Sequence, residues 1–137
     1  SAGATFTTIY VPIYSNESGH VEMIPVEIPY TTSVLDSVYS EIFRGASDIY
    51  GYNGLDFESV SINNGTATVN LTGSWYPAGD MSGYHMRQII NQAAFQYDSV
   101  DIIKVMVNGE IFDWCIDDMS DGEGGCPAQS KYWIDAK

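Results

Sequence analysis

The runs FESVSI and TATVNL, residues 57–62 and 66–71, alternate apolar and polar side chains on either side of Asn63-Asn64-Gly65. Alternation of period two puts Val60 and Ile62 on one face of a strand, and Ala67, Val69 and Leu71 on one face of the next. Asn-Gly accepts the positive φ that a tight hairpin turn requires. This is the strongest hairpin signal in the chain. It commits the chain to antiparallel sheet with one apolar face, and the remaining segments must cover that face.

Two further hairpins and two helices follow from the same reasoning. Residues 6–14 (FTTIYVPIY) and 20–28 (HVEMIPVEI) are rich in β-branched and aromatic residues, with turn chemistry in SNESG between them. Pro12 and Pro25 lack a ladder donor, which places these strands at an edge or a bulge. Leu35, Val38, Tyr39, Ile42 and Phe43 form one helical stripe, with Ser33 as the N-cap, Asp36 in the first turn and Gly45 as the stop. A second helix, from about residue 82 to 97, has the stripe Met86, Ile89, Ile90, Ala93, Ala94 and Tyr97. Its polar face carries Gln88, Asn91, Gln92 and Gln96, and His85 falls on its polar side. The strand DIIKVMV, the turn Asn108-Gly109 and the strand EIFDW complete a third hairpin. The expected fold is α+β: two helices packed on one face of a mixed β-sheet, in the order hairpin, helix, hairpin, helix, hairpin.

With 137 residues and 45% apolar content, the chain fits a single domain, 1–137, with a substantial core. Its 18 acids against 5 bases give a formal net charge of −13. That charge repels phosphate backbones and anionic lipid, so no nucleic-acid partner is expected. No apolar run approaches the ~20 residues of a membrane span, so no membrane insertion by this segment is expected either. The start at Ser1-Ala2-Gly3 rather than Met suggests a processed chain.

The run FESVSINNGTATVNLTG resembles the signature of the GerMN (sporulation and spore germination) domain family: strand, turn ending in Gly, strand ending in Asn-Leu-Thr. QIINQAAFQYDSVDIIKVMVNGE resembles the family's second block, helix, break and strand ending at Asn-Gly. The run from Ile9 to Gly45 resembles its opening strand, turn, strand and helix. The resemblance covers about residues 9–110. It implies an interaction or scaffolding domain of bacterial envelope lipoproteins or secreted proteins, extracytoplasmic, without a catalytic site. The partner implied is an envelope protein or a second copy, and the setting implied is a sporulation or germination assembly. Asn64, Gly65, Asn108 and Gly109 fall on the family's turns. The segment between the first helix and residue 57 lacks the Pro common in the family, and the tail 113–137 lies outside the pattern.

Candidate chemistry is sparse. No HExxH, GxSxG or phosphate-binding glycine motif is present, and the two histidines, His20 and His85, both read as surface residues. No catalytic residue is assigned, and the chain is not expected to be an enzyme. In the tail, Asp117, Asp118, Asp121 and Glu123 make an acidic cluster. Asp117, Asp121 and Gly122 match positions of a calcium loop, but Met119 and Ala128 stand where oxygen ligands belong. At most weak Ca2+ binding is expected there, against a solvated acidic turn as the plainer reading, and no other cofactor. Cys115 and Cys126 are spaced to close a short disulfide loop, stabilising by on the order of 3 kcal/mol, or are two separate thiols in a reducing compartment. Tyr50, Tyr52, Trp75 and Tyr76 sit in two irregular loops. Exposed together they would stack on sugar rings, which makes a carbohydrate or peptidoglycan-binding domain the alternative function.

Overall fold

The computed structural model describes residues 5–45, 54–74, 82–112 and 129–130. Two antiparallel strands open it, β1 (Phe6–Ser15) and β2 (His20–Pro29), followed by helix α1 (Val34–Gly45). Strands β3 (Leu55–Asn63) and β4 (Thr66–Gly73) come next, then helix α2 (Ser82–Phe95). Three strands follow: β5 (Ile102–Val107), β6 (Glu110–Ile111) and β7 (Gln129–Ser130). The class is α+β, as expected.

The strands build two sheets rather than one. β1 and β2 pair only with each other, while β3-β4-β5-β6 form a mixed sheet to which β7 adds on β5. The first hairpin packs by its side chains: Ile9 and Val11 enter the core with Leu35, Ile42 and Phe43 of α1 and Met86, Ile89 and Ala93 of α2. The prolines at 12 and 25 suit such a two-stranded ribbon, where each strand keeps an unpaired edge. The tail, expected to be irregular, contributes β7, which pairs Ser130 with Ile102 and Gln129 with Ile103. The final hairpin is shorter than expected, since β6 has only two residues.

The ribbon also turns over along its length. Toward its open end the sheltered residues of β1 are Thr7, Ile9 and Val11; nearer the turn they are Pro12 and Tyr14. In β2 the sheltered set shifts likewise from Ile28 and Val26 to Met23 and Val21, although the pairing register is unbroken. Strong right-handed twist, largest in two-stranded ribbons, brings the opposite face inward.

In the mixed sheet, β3 and β4 are antiparallel, with a bulge between Phe57 and Ser59, and β4 and β5 are parallel. A parallel pair needs a crossover, and α2 supplies it. Ala67, Val69, Leu71, Ile103 and Val105 are buried with both helices on one face of this sheet. The other face carries Ser59, Ser61, Thr68, Asn70 and Thr72 by alternation. There the Asn70 Nδ2 donates to Ser59 Oγ at 3.1 Å.

Tyr39 ties the layers together. Its ring stacks on Phe57 with centroids 5.6 Å apart, and its hydroxyl donates to the Ile90 carbonyl at 2.7 Å. Burial pushes the phenol pKa far up, so it stays a donor at any physiological pH.

Candidate functional site

A pocket of about 240 Å3 opens where α1 begins. Its walls are Thr32, Ser33 and Asp36 at the helix start, Val60 and Ile62 from β3, and Tyr97 and Ser99 after α2. The local sequence explains the position. Ser33 is the residue before the first helical turn, its N–H donating to Thr31 Oγ1 at 3.0 Å and its carbonyl accepting the Ser37 N–H at 3.3 Å. Residues 96–99 form the tight turn that sends the chain from α2 into β5, with the Val100 N–H donating to the Tyr97 carbonyl at 3.1 Å. Partial burial raises the Tyr97 phenol pKa, so it acts as a neutral hydroxyl. The pocket thus offers hydroxyls, one carboxylate and the four aliphatic residues Val34, Leu35, Val60 and Ile62. Neither histidine lines it. Such a lining can seat a small polar group against an apolar wall.

The second histidine departs from the sequence expectation. His85 is 6% exposed and stacks on Tyr14, ring centroids 3.7 Å apart at 22°. Burial lowers its pKa, favouring neutral imidazole. Asn91, read as polar-face, is completely buried. The reason is the same for both: α2 touches α1, β1 and β2 while it also faces the sheet, so it is covered on more than one side. His20, at the start of β2, is exposed as expected.

The two Asn-Gly turns adopt the left-handed conformation at both positions. Asn64 and Gly65 have φ of 51° and 82°, and Asn108 and Gly109 have 54° and 84°. They do more than reverse the chain. The Gly65 carbonyl accepts from the N–H groups of Asp101 and Ile102 at 2.7 and 3.0 Å, anchoring the entry to β5. The Asn108 side chain donates from Nδ2 to the Gly73 carbonyl at 2.8 Å and accepts the Gly73 N–H at 3.0 Å. This amide prolongs the seam between β4 and β5 by one more pair of bonds.

Tyr50, Tyr52, Trp75 and Tyr76 lie outside the described residues, as do Asp117, Asp118, Asp121, Glu123, Cys115 and Cys126. Among the described residues no three His, Cys, Asp or Glu side chains are grouped to hold a metal ion. No helix among them is long and apolar enough to cross a membrane. What the sequence reading missed is an exposed set on the first hairpin, Phe6, Tyr10, Ile13 and Ile24. The available signal was that FTTIYVPIY is apolar at odd and even positions alike, more than one buried face can use.

The family model Germane, described as sporulation and spore germination, matches residues 8–112. No curated protein matches the chain in sequence. Among solved structures, the tandem GerMN domains of the sporulation protein GerM from Bacillus subtilis superpose with a TM-score of 0.60 at 18% identity. That match covers 78% of this chain but 42% of the tandem chain. The first GerMN domain of the same protein gives a TM-score of 0.60 at 17% identity, covering 90% of this chain and 96% of that one. A candidate lipoprotein from Clostridium perfringens gives 0.50 at 16% identity, over 81% of this chain and 79% of its own. At these identities the structures speak for the fold.

Proposed function

The chain belongs to the sporulation and spore germination (GerMN) domain family, and on that premise we propose that it is a non-enzymatic interaction or scaffolding domain of a bacterial envelope protein, working outside the cytoplasm. The match over residues 8–112 carries this reading, because it runs from within β1 through β6. The family's description names a cellular process and no reaction. The pocket beside α1 combines hydroxyls with the Asp36 carboxylate, and the buried His85 lies outside it, engaged with Tyr14. A lipoprotein anchor or secretion is the mode of envelope association we favour, since a candidate lipoprotein shares the fold. An acidic surface suits a domain kept off anionic membrane and free to meet protein.

The test is chemical crosslinking of the full-length protein in intact cells, followed by light scattering of the purified protein. A discrete crosslinked complex with an envelope protein, or with a second copy, is the expected result. A strictly monomeric protein that captures nothing at any crosslinker length would remove the proposal.

A further inference from the structure

The first hairpin presents a continuous solvent face on which apolar and acidic residues interleave. Toward the open end of the ribbon, the cross-strand pairs Phe6–Pro29, Thr8–Glu27 and Tyr10–Pro25 are all exposed. Past the change of face, Ile24 and the pair Ile13–Glu22 continue the surface toward the turn. Phe6, Tyr10, Ile13 and Ile24 expose 58, 48, 41 and 36% of their surface. Four such residues in line are a patch rather than scattered apolar side chains, and patches of this kind mark interaction surfaces. The ribbon is held from behind. The Gln96 Nε2 donates to the Tyr10 carbonyl at 3.0 Å, and Tyr14 stacks on His85. A face fixed in this way loses little freedom on binding.

Charge decides what fits. From Thr5 to Tyr30 there is no Lys or Arg, and Glu17, Glu22 and Glu27 are all exposed. A second copy would bring glutamates against glutamates, with a formal charge of −13 on each chain. Nucleic acid and anionic lipid are repelled by the same field. We infer that the outer face of the β1–β2 hairpin docks a partner protein whose contact surface combines lysine or arginine with apolar side chains. This rests on the reading of the chain as an interaction domain, and adds to it the surface and the partner's chemistry. Apolar side chains supply the buried centre of such a contact, and Glu22 and Glu27 set its register and speed of encounter.

The experiment places the photo-crosslinker benzoylphenylalanine in the full chain, in the cells that make it, at Tyr10 on this face. Control positions are Ser61 on the mixed sheet and Ser40 on α1, both exposed. The expected result is an adduct from position 10 with a protein whose crosslinked surface is basic. In binding measurements with that purified protein, the E22Q/E27Q double variant is expected to weaken affinity about tenfold at low salt, and less as salt rises. Adducts from Ser61 or Ser40 alone would leave the interaction reading standing and overturn the hairpin surface. A second copy, a glycan or an acidic protein at position 10 overturns the partner's chemistry, as does unchanged affinity of the double variant. Silence at all three positions overturns both readings.

Discussion

At Asn91 a complete amide lies inside the protein with neither its nitrogen nor its oxygen hydrogen-bonded among the described residues. A buried polar group without partners is destabilising, and an apolar group of similar shape removes that penalty. Asn91→Leu is therefore expected to raise stability by on the order of 1 kcal/mol, read as a higher midpoint in urea with an unchanged slope. A lower midpoint would show that the amide is satisfied in solution. Tyr39→Phe works in the opposite direction. Deleting the hydroxyl that donates to Ile90 should cost about 1 kcal/mol while the stack on Phe57 survives. His85 adds a pH dependence. Its folded pKa lies below the unfolded value of about 6.5, so the neutral ring's contribution is complete above that pH. It is lost progressively as pH falls from there toward the folded pKa. His85→Phe keeps a ring against Tyr14 and removes the titration. The melting temperature of the wild type should drop relative to this variant between about pH 7.5 and about pH 5; a constant gap between the two would dismiss the effect.

Among the elements, what could be read from sequence was what is local. The two Asn-Gly turns, the stripe of α1 and the alternation of β4 each depend on neighbours a few residues away, and each stands where local chemistry puts it. What could not be read depends on coverage. Nothing in the sequence near Asn91 or His85 says that a hairpin from residues 6–29 lies over that side of α2. The separation into two sheets is of the same kind, because hairpins pair locally but choose their packing globally. Of the candidate site, the loop aromatics and the acidic tail fall outside the described residues, while the exposed hairpin face was written in the sequence as an excess of apolar residues on both strand faces. The Asn108 clasp supplies a prediction for the elements. Asn108→Gly tolerates the positive φ but loses both bonds to Gly73. Amide exchange at Gly73 should then quicken about tenfold, with little change at Gly65; equal protection before and after would mean the clasp is not formed in solution.

For the whole molecule, the excess of acids sets the main long-range force. Eighteen carboxylates against five bases repel one another in the compact state. Raising salt from about 0.01 M to about 0.3 M shortens the screening length from roughly 30 Å to below 10 Å, and the melting temperature should climb by several degrees. A flat response would mean that the acids are already paired or too dispersed to matter. The parallel seam carries a different consequence, one of timing. Residues 66–71 of β4 pair with residues 102–107 of β5, and α2 must be made before the two can meet. As the chain emerges N-terminus first, the first four strands can zip locally within microseconds, whereas β4 waits with one backbone edge open until Val107 has followed. During that interval an alternating strand bearing Ala67, Val69 and Leu71 is free to pair with the wrong neighbour. A chain halted near residue 100 should aggregate more readily than the full-length chain, which makes the late arrival of β5 a step at which a chaperone would protect this protein.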